Sequence, residues 1–416
     1  MKHLHTAFLL LLATPLQATE LPTAKPEAEG MSSRALQEAK ATLAGFVKRR
    51  QIAGANILIA RNGKVVFNES VGFADIAKRK PYHSNTVVRI YSMTKPITSV
   101  AIMQLVERGK INLDAPVSKY IPELRTVQVL VHNTNGQTRK PKRAMTVRDL
   151  LRHTSGLTYG FFGNTAVDRQ YRRAQLLRRN GDWQESIAKL AKIPLLDDPG
   201  SRFRYSIATD ILGVIVQRVS KQRLDRYFQQ HILKPLGMHD TAFQVGKPQT
   251  SRFANNYGSA GRGLYVRDRA SRSRYLTPPK LHSGGGGLVS TTRDYMRFCQ
   301  MLLNQGKLGK SRILLPSTVS EMTKNQLSKK TYPIRLSGGP RQGVGFGLGV
   351  SVVVERIDVA PHVPVGEYGW GGVACTHFFI SPKHKLAVVL ATQYMPFSMR
   401  LEYAVKPHIY RALQKK

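Results

Sequence analysis

Cysteine is nearly missing from this chain: Cys299 and Cys375 are the only two in 416 residues. So few thiols exclude a disulfide-stapled scaffold. No Cys-x-x-Cys or His-Glu-x-x-His occurs, which leaves a zinc site unsupported. An oxidising compartment would permit one disulfide, but the surrounding patterns favour two buried free thiols. Long apolar runs are missing too, so no transmembrane helix is expected in the mature chain. Acidic residues are scarce, with 25 Asp and Glu against 64 Lys and Arg, and the formal net charge is +39.

That charge calls for an anionic partner or for a solvated basic surface. The basic residues are scattered: Lys78-Arg79-Lys80, Arg139-Lys140-Pro141-Lys142-Arg143, Arg172-Arg173, Arg178-Arg179 and several between 262 and 274. No nucleic-acid-binding module accompanies them, so no nucleic acid is expected; weak attraction to anionic envelope surfaces is. Residues 1–18 read as a signal peptide: Lys2, His3 and His5, an apolar stretch at 7–12, and the cleavage site Leu16-Gln17-Ala18. The expectation is therefore an exported protein, periplasmic or secreted.

What remains is ordinary globular composition, 42% apolar and 21% charged. A polar tether at 19–30 precedes a helix that Ser32 or Ser33 can cap, with Leu36, Ala39, Leu43, Phe46 and Val47 as its apolar stripe. Asn62-Gly63 between two apolar runs predicts a hairpin. Residues 92–108 predict a helix apolar all round, hence buried, with Pro96 tolerated in its first turn. Helices are predicted at 147–151, 183–191 and 209–219, with polar loops at 133–143 and 249–280. Gly284 to Gly287 precede a helix starting near Thr291. Strands are predicted at 347–356, 373–380 and 386–392, and a last helix at 399–413 with Pro407 as a kink.

Strands at both ends and helices between them predict an α/β fold. Its antiparallel sheet, flanked by helices, is built from residues 31–115 and 284–416, with a mostly helical domain inserted at 116–283.

Ser92-Met93-Thr94-Lys95 is the stretch that names a reaction. Residues i and i+3 of a helix share a face with Cβ atoms about 5–6 Å apart, so Lys95 can reach the Ser92 hydroxyl. The helix N-terminus also favours developing negative charge at Ser92. A chance Ser-x-x-Lys is expected in any lysine-rich chain, so the pair needs support. It comes from Leu150-Leu151-Arg152-His153-Thr154-Ser155-Gly156-Leu157, from Phe203-Arg204-Tyr205-Ser206-Ile207-Ala208-Thr209-Asp210, from the Gly284 to Gly287 run, and from Gly369-Trp370-Gly371-Gly372-Val373.

In this order, these stretches resemble the serine β-lactamase-related hydrolases, most closely the branch that holds the family VIII carboxylesterases. The resemblance implies a β-lactamase/transpeptidase-like fold and two-step acyl transfer without a cofactor. It implies Ser92 as nucleophile, Lys95 as its base or proton relay, and Tyr205 as a second general acid/base. The backbone N–H groups of Ser92 and Val373 would bind the oxyanion, and Trp370, Gly371 and Gly372 would line the substrate. His153 reads as structural. The departures matter as much: Ile207 stands where class C β-lactamases carry Asn, and Trp370-Gly371-Gly372 where they carry Lys-Thr-Gly. The missing Lys removes a partner for a β-lactam or peptide carboxylate, the missing Asn removes an amide that could bond the acyl side chain, and both changes point to neutral esters. The alternatives are a β-lactamase or D,D-peptidase and, in another class, a non-catalytic basic protein that binds the envelope.

Overall fold

The computed structural model describes residues 20–131, 136–261, 263–336 and 339–414. The expected signal peptide lies outside them. Ser32 caps α1 (Ser33–Lys48), its side chain accepting from the Ala35 N–H. The predicted stripe of Leu36, Ala39, Leu43 and Phe46 is buried. Asn62 and Gly63 both take positive φ and join β1 (Gly54–Arg61) to β2 (Lys64–Asp75), the predicted hairpin. β3 (Lys80–Pro81) and β4 (Val88–Arg89) follow. A single 3₁₀ turn, Tyr91–Met93, then leads into α2 (Thr94–Glu107). Twelve of its residues, Thr94 through Leu105, are buried, as its uniform apolarity requires.

The middle of the chain supplies α3 (Val147–Leu151), α4 (Ala166–Ala174), α5 (Trp183–Leu190) and α6 (Ala208–Ser220). α4 is missing from the predicted helices because Arg169, Arg172 and Arg173 dilute its apolar face. A capping box of Thr165 and Asp168 defines its start. Residues 249–280, expected to be a loop, contain a hairpin of β5 (Asn256–Ala260) and β6 (Gly263–Asp268). Its sequence lacks apolar alternation; the hairpin is completed by a parallel partner from the C-terminal region, described below.

After β7 (Val289–Ser290), which pairs with β4, Thr291 caps α7 (Thr292–Leu303). The C-terminal strands are β8 (Val344–Phe346), β9 (Ser351–Val353), β10 (Tyr368–Gly372), β11 (Thr376–Ser381) and β12 (Leu386–Thr392). β13 (Tyr394–Met395) lies parallel to β5 and ends the smaller sheet, and α8 (Arg400–Arg411) carries Pro407. Two strand predictions need correction. The one at 347–356 shrinks to β9, because Gly347 and Gly349 turn the chain, with the Gly347 N–H donating to Val350 O at 2.8 Å. The one at 373–380 starts only at Thr376, because residues 373–375 form a turn with Cys375 at φ 54°.

The main sheet has eight strands in the order β8-β9-β10-β11-β12-β1-β2-β3, every neighbour antiparallel. Strands from the two ends of the chain thus pair directly, β1 with β12 from Ala55 opposite Thr392 to Arg61 opposite Leu386. Both faces are covered, so β1 and β12 are apolar without alternation to solvent. Ile57, Ile59, Val388 and Leu390 pack under α1 and α8 with Leu43, Phe46, Val405 and Ile409. Leu58, Ala60, Val389 and Ala391 face the other core, which α2, α6 and α7 share. Cys299 and Cys375 are buried and unpaired, one in each core. Among the described residues, no helix is long and apolar enough to cross a membrane.

Candidate active site

Ser92 sits in the turn between β4 and α2. The residue before it, Tyr91, holds φ at 41°, a left-handed conformation that costs a non-glycine residue energy. Ile90 is anchored behind it, its N–H donating to Leu288 O at 3.1 Å. Tyr295, on α7, donates its hydroxyl to Met93 O at 2.8 Å. The strained turn is therefore held from both sides, and it points the Ser92 hydroxyl at two partners.

The first is Lys95, in the opening turn of α2 and 1% exposed. Its Nζ donates to Ser92 Oγ at 3.2 Å, to the Tyr159 hydroxyl at 2.9 Å and to Gly285 O at 2.7 Å. Three oxygens thus meet the three donors of an ammonium. The second partner is Tyr205, whose hydroxyl donates to Ser92 Oγ at 2.7 Å. Lys95 Nζ lies 4.6 Å from the centroid of the Tyr205 ring. The structure thus brings Ser92, Lys95 and Tyr205 together.

The glycine run explains how a lysine can be held so deep. Thr94 Oγ1 accepts from the Leu288 N–H at 3.2 Å, and Thr98 Oγ1 donates to Gly284 O at 2.7 Å. With Lys95 on Gly285 O, three residues at the start of α2 grip the run. On its other side stands α6: a Cβ on Gly284 would lie 2.8 Å from Thr209 O, and one on Gly285 2.3 Å from Asp210 Oδ2. Only glycine lets the backbone pass between the two helices. Asp210 is wholly buried; its carboxylate accepts from Ser283 Oγ and from the Gly285 N–H, the latter at 3.0 Å. Burial pushes its carboxyl up and the Lys95 charge draws it down, with burial prevailing.

His153 lies behind Tyr205, with ring centroids 4.9 Å apart, and is 1% exposed. Burial, and then the nearby Lys95 charge, push its imidazole well below the ordinary range, so it is neutral at pH 7. It takes positive φ, 57°, which turns the chain after α3. Asp149 fixes that turn: its carboxylate accepts from Arg143, Arg152, Thr154 and the Thr146 N–H.

Trp370 packs its ring 5.4 Å from Tyr205 and 5.1 Å from Phe346. Gly372 ends β10 against the Ser92 turn: a Cβ there would lie 2.3 Å from Ile90 O and 2.4 Å from Thr376 Oγ1. Val373 follows in the turn to β11. Gly371 faces the other way, where a Cβ would meet Phe397 and His377. Trp370 therefore packs on Tyr205 and Gly372 lies against Ile90, two residues before Ser92, whereas Gly371 faces neither.

The sequence reading missed Tyr159, Gly285 and Asp210 as partners in this assembly. Tyr159 stands two residues after Leu157, and Asp210 lies within the Tyr205 stretch. The signals available were Asp210's place in the Tyr205 stretch and Gly285's place in the glycine run.

The Beta-lactamase family model matches residues 39–406. The chain belongs to the beta-lactamase family. It is 34% identical over 358 residues to Protein Rv1367c of Mycobacterium tuberculosis, covering 83% of this chain and 86% of that protein. It is 29% identical over 388 residues to Esterase EstB of Burkholderia gladioli, covering 88% and 92%. Among solved structures it is similar to EstCE1, described as a hydrolase with promiscuous acyltransferase activity. That match has a TM-score of 0.77 and 26% identity, over 92% of this chain and 100% of that one. The fold is thus the β-lactamase/transpeptidase-like one that the motifs implied.

Proposed function

We propose that the chain is a serine hydrolase that cleaves carboxylic esters by two-step acyl transfer through Ser92. One observation carries this reading: Ser92 Oγ lies 3.2 Å from Lys95 Nζ and 2.7 Å from the Tyr205 hydroxyl at the same time. In the reacting form Tyr205 is a phenolate whose negative charge the Lys95 ammonium, 4.6 Å from its ring, offsets; it takes the Ser92 hydroxyl proton as Oγ attacks the ester carbonyl and becomes the neutral phenol. The backbone N–H groups of Ser92 and Val373 receive the oxyanion, each such donor contributing about 2.7–4 kcal/mol. Tyr205 then protonates the departing alcohol. Water enters, loses a proton to the same relay and releases the acid.

Ester over β-lactam follows from what lines the site. Trp370 presents an aromatic face to Tyr205 where a lysine would hold a carboxylate. Ile207 is 2% exposed and offers no amide to an acyl side chain. The esterase among the relatives agrees with this choice. A non-catalytic, envelope-binding role for the basic surface would give no reason to bury Lys95 against Ser92 and Tyr159. Export to the periplasm or medium completes the proposal, on the strength of the N-terminal sequence pattern.

A fluorophosphonate probe tests the nucleophile: the parent is expected to be labelled and Ser92→Ala to stay unlabelled. Equal labelling of the two ends the assignment. Parallel assays with a p-nitrophenyl ester and a chromogenic cephalosporin separate esterase from β-lactamase, with hydrolysis of the ester expected to dominate.

A further inference from the structure

Two large apolar side chains stand in solvent beside the proposed catalytic group. Phe161 is 65% exposed and Phe162 50%. Their ring centroids are 4.5 Å apart. Phe161 stacks on Tyr159 at 5.0 Å, and Phe162 lies 6.1 Å from Tyr205. An aromatic wall thus runs from solvent to the oxygen that hydrogen-bonds Ser92.

The wall is built, not frayed. Arg172 donates to Gly160 O and, at 3.0 Å, to Gly163 O, bracketing the two phenylalanines. The Asp168 carboxylate accepts from Thr158 Oγ1 at 2.9 Å and from the Thr165 N–H at 3.0 Å. Gly160 holds φ at 81°, and a Cβ there would lie 2.7 Å from Tyr171 Cβ. Glycine is therefore required at 160 to hold the loop in this close approach to α4. Apolar surface held out of the core beside a reactive group marks a binding surface.

We propose that Phe161 and Phe162 form the subsite for an apolar, uncharged alcohol half of the ester. This rests on the serine-esterase reading and adds its substrate class. The direction follows from the proton's path. The Ser92 Oγ–carbonyl bond forms, the carbonyl–alkoxy bond breaks, and the proton that Tyr205 took from Ser92 passes to the alkoxy oxygen. That oxygen must lie next to the Tyr205 hydroxyl, so the carbon attached to it lies along the wall that Tyr205 continues. Burying it there removes apolar surface of both partners from water. A cationic alcohol, which aromatic faces could otherwise hold, meets the Lys95 ammonium 5.4 Å from the Tyr159 ring.

Four substrates test this by pH-stat: ethyl acetate, 3,3-dimethylbutyl acetate, its cationic isostere acetylcholine, and ethyl 4,4-dimethylpentanoate. The last carries the same bulk on the acyl side. The parent is expected to favour 3,3-dimethylbutyl acetate over ethyl acetate by at least tenfold in kcat/KM, and over acetylcholine. In the double variant Phe161→Ser/Phe162→Ser, the ratio of 3,3-dimethylbutyl to ethyl acetate is expected to fall about tenfold. 3,3-Dimethylbutanol should also become a weaker product inhibitor. A proportional fall for every ester would make the loop merely structural and overturn the subsite. So would a fall confined to ethyl 4,4-dimethylpentanoate, or a preference for acetylcholine. Ser92→Ala separates the two levels: Ser92-dependent hydrolysis with an unaltered ratio sinks only the subsite, whereas hydrolysis independent of Ser92 sinks the esterase reading beneath it.

Discussion

Tyr205 donates its hydroxyl to Ser92 Oγ at 2.7 Å across 113 residues of sequence. The two come from separate parts of the chain, Ser92 from the turn after β4 and Tyr205 from the segment before α6. What aligns them is the shared packing of α2 against α6 around the glycine run. Lys95, by contrast, is local to Ser92, three residues on. One partner is set by helix geometry and the other by tertiary structure, so they respond differently to substitution.

Tyr205→Phe keeps the ring between His153 and Trp370 and removes only the hydroxyl. Loss of a general acid/base group typically costs about 10²–10⁴-fold. The expected outcome is a fall of that size in kcat on a p-nitrophenyl ester, with KM changed far less and the melting temperature held. A KM effect alone would make Tyr205 a substrate contact.

Tyr159→Phe is the subtler test. Lys95 keeps Ser92 Oγ and Gly285 O but loses its third oxygen. A hydrogen bond to a charged group is worth about 1.5–3 kcal/mol, and each 1.36 kcal/mol is a factor of ten in rate. kcat is therefore expected to fall about 10–100-fold. Because phenylalanine still stacks on Phe161, the preference for a bulky alcohol should persist. A variant as fast as the parent would show that Tyr159 is not needed to hold Lys95.

How much of this was legible in the sequence depends on what each residue contributes. Ser92 and Lys95 stand at helical spacing, so their meeting could be read directly. The hairpin at Asn62-Gly63 and the caps at Ser32 and Thr291 are equally local. Ser92 and Tyr205 share no spacing rule; only the resemblance put them together. Tyr159 stayed hidden because its hydroxyl matters through Lys95, and Gly285 because it acts through its carbonyl, which side-chain patterns do not encode. α4 and the hairpin β5–β6 were missed for a common reason. Neither carries a clear apolar stripe: α4, with Arg169, Arg172 and Arg173, is set by a capping box, and the hairpin is held by a distant strand.

Asp149 gives a pH test of the turn beneath the site. Burial pushes its carboxyl up, but Arg143 and the Thr146 N–H more than offset that, leaving it at about 2 against an ordinary 3.8. A carboxylate lowered on folding stabilises the protein above its unfolded value, and that stability is lost as pH falls from about 4 towards 2. The difference corresponds to about 2–3 kcal/mol at pH 7. Asp149→Asn is expected to lose roughly that much in urea unfolding at pH 7. Its deficit relative to the parent should shrink as the pH is lowered through this window. A deficit of the same size at pH 7 and near pH 2 would mean that packing, not charge, is what Asp149 supplies.

The contact of Gly372 with Ile90 sets the last test. A methyl group at 372 would stand 2.3 Å from a backbone carbonyl, which no rotamer change can relieve. Ile90 is two residues before Ser92, so the end of β10 and the Ser92 turn would be forced apart. Val373, next in sequence, moves with it and so would its N–H. At Gly371 the same methyl would meet Phe397 and His377 side chains at 2.9 and 3.2 Å, and Thr376 O at 3.1 Å, a milder conflict. Removing one oxyanion donor costs about 10²–10³-fold in kcat. Gly372→Ala is therefore expected to lose at least about a hundredfold in kcat and to slow fluorophosphonate labelling in parallel, because both reactions place negative charge in the same hole. Gly371→Ala should lose less in each. If the two variants lose equally, the approach of β10 to Ile90 is not what positions the Val373 amide.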